Sequence, residues 1–415
     1  MADTELDETS STYFLATSNK PKPYVSFGVP FADACKHHAE ATFHASRAYV
    51  IVSSSISKTK DFAALKDALG DKVAAVRYGI RQHVPWPDVL EVAAGIRDSN
   101  ADLIITLGAG SLTDAAKVAS FAVANGAYTL EALNKLHIRA KPDPATLKPC
   151  TIPIINIPTS LSGGEYNSPG GATDWRNHRK TSFQHPSIGT WLVILDPALV
   201  MSTPERVWLS SGMRAVDHCI EGFCSVEKKK KESEKHLSKG LELLLPSLLI
   251  TRRDPSDLEA RRGEMLGVIE ALRGLSMGVP MGASHGIGHQ LGPLGVGHGE
   301  TSCVMLPSVL EWNLKHGDDW VRERQRLLLE LLWRSETVAE RLTAKGLSPD
   351  TAHAGEVVRS YVEELGLPTT LSTVGVGRDQ FGKLAASSMT DRYIPTNPVT
   401  ITETQQVMDI LEMAL

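Results

Sequence analysis

At 415 residues, 42% of them hydrophobic, the chain is long enough for two domains with separate cores. A net charge of −5 without a long basic stripe argues against a nucleic-acid partner, and no run of eighteen apolar residues argues for a membrane span. The five cysteines, Cys35, Cys150, Cys219, Cys224 and Cys303, form no CxxC pair and read as reduced thiols of a cytoplasmic protein.

Residues 1–24 begin acidic and polar, without the basic start and apolar core of a signal peptide, and are expected to be flexible. From there strand-like and helix-like segments alternate. AYVIVSSS (48–55) is an apolar β-branched run, and ISKTKDFAALKDALG after it has helical periodicity up to Gly70. KVAAVRYG and WPDVLEVAAGIRDSN repeat the pair. ADLIITLGAGS is a buried strand entering a Gly-rich turn, with LTDAAKVASFAVAN as its helix, and TIPIINIPTSLSGG is another strand-to-turn segment. Alternation of this kind predicts a parallel sheet covered on both faces, with ligands at the carboxyl ends of its strands. After WLVILDP (191–197) the segments are helical and rich in Leu, Glu and Arg. The fold class is therefore an α/β dinucleotide-binding domain over 25–197 followed by an all-helical catalytic domain over 198–415, packed directly with a cleft between them. KKKKESEK, from Lys228 to Lys235, reads as a solvated face.

GAGSLTDAAK (108–117) joins a strand to a helix. Gly108, Ala109 and Gly110 let the backbone approach a ligand, Ser111 adds a hydroxyl donor, and the helix start favours a phosphate. Asp114 reads either as a partner of the helix dipole or as a contact for the nicotinamide end of a cofactor. Lys117 reads as a phosphate partner or an exposed charge. PTSLSGGEYN (158–167) is a second such turn, carrying Thr159, Ser160 and Ser162. At the end of the first clear strand, Ser53 to Ser55 stand where an acidic residue would hold the ribose hydroxyls of NAD, so the site should tolerate NADP.

Three histidines, His285, His289 and His298, lie in GASHGIGHQLGPLGVGHGE, and His218 lies in SGMRAVDHCIEGF four residues after Arg214. Residues four apart share a helix face, so the Arg214 cation should point where His218 points. Such a cluster holds a metal or moves protons. Glu221 either orients His218 or lies on the helix surface. Asp217, adjacent to His218, should face elsewhere on the helix. His37, His38, His44, His137 and His178 have no partner pattern and read as surface residues.

With these motifs in order, the chain resembles the iron-containing alcohol dehydrogenase superfamily, which shares its fold with dehydroquinate synthase. GAGSLTDAAK resembles the family's GGGSxxDxAK, IPTSLSGGE its IPTTxGTGSE, SGMRAVDHCIEGF its GxDAxxHAIEGY, and TDRYIPTNPVTIT its C-terminal NPR segment. The resemblance implies hydride transfer between NADH or NADPH and a carbonyl or alcohol carbon. It adds Lys180 to the cofactor-binding residues and implies a homodimer acting on a small molecule. Metal-dependent members use one aspartate and three histidines. The histidines map onto His218, His285 and His298, the latter two one residue closer together than in the family, and the aspartate position is Arg214. The pattern most resembles the maleylacetate reductase branch, which works without a metal, as do His83-Val84-Pro85 and LPTTLSTVGV…PTNP.

A metal-free carbonyl reduction is thus the leading expectation. Arg214 polarises the substrate or holds its carboxylate, His289 supplies the proton, and His218, His285 and His298 line the pocket. The alternatives are a zinc- or iron-dependent alcohol dehydrogenase held by the last three, and a non-redox catalyst or cofactor-binding protein on the same scaffold.

Overall fold

The computed structural model describes residues 12–176, 179–226 and 231–415. Its contacts divide the chain into two compact units, Met1–Val200 and Met201–Leu415, the division falling just past the ILDP segment.

Unit 1 is built on seven strands: β1 (Thr12–Leu15), β2 (Tyr24–Phe27), β3 (Ala48–Val52), β4 (Val73–Tyr78), β5 (Leu103–Gly108), β6 (Ile154–Pro158) and, after a hairpin of β7 (Gly170–Asp174) and β8 (Arg179–Phe183), β9 (Leu192–Leu195). The sheet order is β1-β2-β9-β6-β5-β3-β4, parallel except for the β1–β2 pair. Successive side chains of a strand face opposite sides, which creates two cores. Tyr49, Ile51 and Ile104 join one, with Trp86, Val89, Val92 and Ile96 of α3 (Trp86–Asp98). Val50, Val52, Ile105 and Ile157 join the other. There they meet Phe31 and Cys35 of α1 (Phe31–His37) and Phe62 and Leu65 of α2 (Lys60–Leu69). The helix α4 (Gly110–Ala124) is buried on nearly every side, which its small residues Ala115, Ala116, Ala119 and Ala122 permit, and the short α5 (Leu130–Asn134) follows.

Residues 12–24, expected to be flexible, instead supply the edge strand β1 and the start of β2. Tyr13 stacks on Tyr24 at 5.0 Å across the antiparallel pair, and Val25 and Phe27 are buried beneath. Residues 1–11 lie outside the described residues. Two of the histidines read as surface residues are buried: His38, bonded through Nδ1 to Thr42 Oγ1 at 2.9 Å, and His137, which caps a short helical turn. His178 lies outside the described residues.

Every described regular element of unit 2 is helical: α6 (Glu205–Phe223), α7 (Lys231–Arg253), α8 (Leu258–Ser276), α9 (Ala283–Leu291), α10 (Glu300–His316), α11 (Asp319–Leu332), α12 (Glu336–Ala344), α13 (Ala354–Glu364), α14 (Arg378–Ser388) and α15 (Thr404–Met413). Lys231 to Lys235 of the basic run begin α7, and Lys228 to Lys230 lie outside the described residues. Glycines let α7 and α8 approach closely. A Cβ on Gly240 would stand 2.7 Å from Cys219 Sγ, and one on Gly267 2.6 Å from Leu244 Cγ. Cys219 is therefore a packing residue, and all five thiols are free. A core of Ile287, Leu291, Met305, Trp312, Phe381 and Ile410 ties α9 and α10 to the C-terminal helices. No helix among the described residues is long and apolar enough to cross a membrane.

Candidate active site

In unit 1, three turns follow the neighbouring strands β3, β5 and β6. They are laced by Ser53 N–H donating to Leu107 O (3.1 Å) and Thr159 N–H to Gly108 O (3.2 Å). Gly108 has φ of 152°, and a Cβ there would lie 2.8 Å from Leu112 Cδ2 and 3.1 Å from Ser53 Cβ. Ala109 is the extended N-cap of α4 and offers no side-chain oxygen, so the first amides of the helix, those of Gly110 and Ser111 included, lack a side-chain cap. The space beside Gly110 faces Ser162, whose hydroxyl pairs with that of Ser160 at 2.8 Å. This arrangement of donors around an uncapped helix start suits a phosphate. We expect Gly108→Ala to weaken binding of a reduced nicotinamide dinucleotide by roughly tenfold or more, the cost of overpacking at a strained φ. A fluorescence titration showing unchanged affinity would remove this turn from the cofactor site.

Asp114 lies one turn into α4 rather than in its first turn, so the dipole accounts poorly for it. It and Lys180 of β8 converge on Gly171, where a Cβ would stand 3.2 Å from Asp114 Oδ2 and 2.8 Å from Lys180 Cε. His83 is close enough for the Lys180 charge, after burial, to hold its imidazole below the usual range. His83 and Val84 both have positive φ, 62° and 52°, an uncommon conformation for a β-branched residue. Lys117 is neither exposed nor turned to a phosphate. It is buried, and its Nζ donates to Gly164 O at 2.6 Å and to Asn167 O, which secures the loop after β6.

Unit 2 gathers a second group of residues. Arg214, Asp217, His218 and Glu221 recur at helical spacing along α6, and α9 presents His285 and His289. Arg214 is 3% exposed. Its Nη1 donates to Thr301 Oγ1 (3.1 Å) and Ser302 Oγ (3.2 Å) of α10, while its buried Nε has no partner among the described residues. Burial lowers the Arg214 pKa, and Asp217 and Glu221 work against that. A Cβ on Gly288 would lie 3.7 Å from Arg214 Nη1, so the α9 backbone runs beside the guanidinium.

Asp217 and Glu221 do not face away or lie on the surface. Both are buried, and both converge on His285 Nδ1, at 3.3 Å (Asp217 Oδ2) and 2.8 Å (Glu221 Oε2). Glu221 also accepts from Gly282 N (2.9 Å) and Ser284 N (2.7 Å), so it caps the start of α9 and orients His285, not His218. Asp217 accepts from Ser284 Oγ at 2.9 Å. Burial pushes the Asp217 carboxyl up to about 6, against the pull of Arg214. Burial and then the Asp217 charge raise Glu221 well above the usual carboxylate range.

The His218 and His285 rings stack at 4.9 Å. Burial first, then Arg214, holds both imidazoles neutral, His218 at about 3. Nδ1 of His218 and Nε2 of His285 are enclosed and have no partner among the described residues. His289 is half-buried, and its Nδ1 lies 2.9 Å from Asp391 Oδ2. His298 is exposed between α9 and α10; its carbonyl accepts from Thr301 Oγ1, and it lies near enough to His285 to be the least of the neighbours that disfavour protonation of that imidazole.

Arg214, His218, His285 and His289 are thus brought together, with His298 at the margin. Asp217, Glu221, Thr301, Ser302, Asp391 and Tyr393 join the site in roles that the sequence does not announce. The signals it carries are the seven-residue spacing from Arg214 to Glu221, two turns along one face, and the place of Asp391 and Tyr393 within TDRYIPTNPVTIT. Donor atoms of Asp217, Glu221 and His285 lie within 4.8 Å of one another, close enough to share an ion, but they are already engaged in hydrogen bonds with each other and with α9.

Residues 27–197 match the family model described as iron-containing alcohol dehydrogenase, and residues 208–415 match that of the Fe-containing alcohol dehydrogenase family, C-terminal. The chain is 40% identical over 417 residues to Dehydrogenase FUM7 of Gibberella moniliformis, covering 96% of this chain and 97% of the relative. It is 44% identical over 386 residues to Dehydrogenase ALT3 of Alternaria alternata, covering 90% and 100%. Its fold superposes on the crystal structure of maleylacetate reductase from Agrobacterium tumefaciens with a TM-score of 0.73 at 23% identity, covering 97% and 98%.

Proposed function

Because this chain belongs to the iron-containing alcohol dehydrogenase family, and is thereby a dehydrogenase, we propose that it reduces a polar carbonyl compound, an oxo-acid by preference, with NADPH or NADH and without a metal. The observation that carries this reading is the buried guanidinium of Arg214, tethered by Thr301 and Ser302 beside the His218–His285 stack.

A divalent cation fits this set poorly. A dication about 4 Å from a guanidinium is repelled by roughly 8 kcal/mol at an effective dielectric of 20. The carboxylates that could offset this, Asp217 and Glu221, are turned to His285 Nδ1 and the α9 amides. One observation favours the metal-dependent alternative: His285 is anchored through Nδ1 to a carboxylate while its Nε2 has no partner among the described residues, as in ligating histidines.

When bound, the reduced nicotinamide supplies the hydride that reaches the carbonyl carbon. Ser53, Gly108, Ala109, Gly110, Ser111, Thr159, Ser160 and Ser162 would hold the dinucleotide, with Asp114 and Lys180 toward its reacting end. The absence of an acid at Ser53 supports acceptance of NADPH. Arg214 holds the substrate carboxylate or the oxygen on which negative charge develops. His285, with Nδ1–H committed to Glu221, offers Nε2 as an acceptor that orients a substrate hydroxyl. His289 passes its proton to the alkoxide oxygen, completing the alcohol.

The test is oxidation of NADPH and NADH against a panel of oxo-acids, aldehydes and quinones, with and without chelator. We expect an oxo-acid to be reduced and chelation to change the rate little. Activity abolished by chelator and restored by zinc or iron would overturn the metal-free reading, and cofactor binding without turnover on any compound would overturn the reductase reading. A cytoplasmic homodimer is part of the same proposal, checked by light scattering and fractionation.

A further inference from the structure

The C-terminal segment 391–397 is pinned to α9 at several points. Thr396 Oγ1 donates to Met281 O (2.6 Å) just before the helix, and Ala283 N–H donates to Asn397 Oδ1 (3.2 Å). Asn397 is buried and donates through Nδ2 to Asn313 Oδ1 on α10 (2.7 Å) and to Val399 O (2.8 Å). At the other end of the segment, Asp391 Oδ1 accepts from Tyr393 N–H at 3.0 Å, which leaves Oδ2 aimed at His289 Nδ1, 2.9 Å away. The Tyr393 ring closes the arrangement, 5.8 Å from the His289 ring and 6.2 Å from that of His285.

From this geometry we infer that Asp391 is a positioning residue for His289, fixing its tautomer and its ring. A carboxylate only accepts, so Nδ1 must carry a proton whether the imidazole is neutral or charged. The proton that His289 exchanges is then the one on Nε2. It leaves that nitrogen for the alkoxide oxygen, and solvent replaces it. The pinned segment makes the carboxylate a fixed rather than a searching partner. The inference rests on the reading of His289 as proton donor.

Asp391→Asn is the informative variant. Because Oδ1 already serves Tyr393 N–H, the asparagine presents its Nδ2 amide to His289, which forces a lone pair onto Nδ1 and the proton onto Nε2. In hydrolase triads the equivalent exchange costs about 10⁴ in rate through the wrong tautomer. Here we expect kcat to fall by about 10²–10⁴ with KM nearly unchanged, and Asp391→Glu to recover part of it. In the full chain labelled with ¹⁵N-histidine, with the His289 signal identified by His289→Gln and followed to the pH at which it is neutral, the neutral wild-type ring should keep its proton on Nδ1 and that of Asp391→Asn should keep it on Nε2. An unchanged neutral tautomer in Asp391→Asn, or a neutral wild-type imidazole protonated on Nε2 alone, overturns the inference, even if the variant melts earlier. Oxo-acid reduction with undiminished kcat in Asp391→Asn overturns it too. A switched tautomer in a protein that reduces no compound of the panel upholds the positioning and sinks the reductase reading instead.

Discussion

Arg214→Met is expected to lower kcat/KM for an oxo-acid by about 10²–10³, the loss typical when one fixed donor is removed from a developing oxyanion. The substitution keeps much of the buried volume and removes only the charge and its hydrogen bonds. It leaves the Thr301 and Ser302 hydroxyls without the guanidinium and leaves Asp217 and Glu221 without the cation that opposes their neutralisation. Arg214→Lys should recover little, because a single ammonium cannot reproduce the planar fork. Arg214→Asp asks the reverse question. It restores the anionic donor of metal-dependent relatives beside His218 and His285, and it should gain zinc that survives gel filtration and is counted by elemental analysis. If the unaltered protein retains zinc equally well, or if Arg214→Met turns over as fast as the parent, the guanidinium does not stand in for an ion.

Glu221→Ala should be the most destabilising single change near this site, by about 3–5 kcal/mol, because it orphans several buried donors at once. One side chain there satisfies three buried donors: Gly282 N–H, Ser284 N–H and His285 Nδ1–H. Each orphaned donor costs about 1–3 kcal/mol, and partial relaxation keeps the sum below three independent losses. Glu221→Gln should fall between, since its amide oxygen can serve some of these donors while its NH₂ opposes another. Hydrogen exchange resolved along the chain is the appropriate measurement, because a protein of two units need not unfold in one step. Faster exchange should centre on the first turn of α9 and spare α4. Uniform loss of protection, or none, would show that Glu221 does not hold α9.

Much of unit 1 was legible because its signals are local. A run such as Ile104–Ile105 within β5 is apolar on both faces only where both faces are covered, and Gly108 marks the turn that no side chain could make. The short edge pair β1–β2 escaped notice because four-residue strands carry too little periodicity to stand out from a polar terminus. The role of Lys117 is hidden in the sequence for a related reason. Its position on α4 is plain, but which carbonyls would meet its ammonium depends on the path of the loop 163–167.

The same division runs through the candidate site. Helical spacing alone put Arg214 beside His218 and His285 beside His289, since residues four apart share a face whatever else the chain does. Family-like motifs in order were enough to identify the dehydrogenase scaffold. Tertiary packing decided which carboxylate serves which imidazole. Glu221 turned from His218 to His285, 64 residues on, and Asp391 reached His289 across 102 residues. Those pairings arise where α6, α9, α10 and the 391–397 segment are pressed together, and an acidic side chain in the sequence carries no mark of the distant donor it will meet.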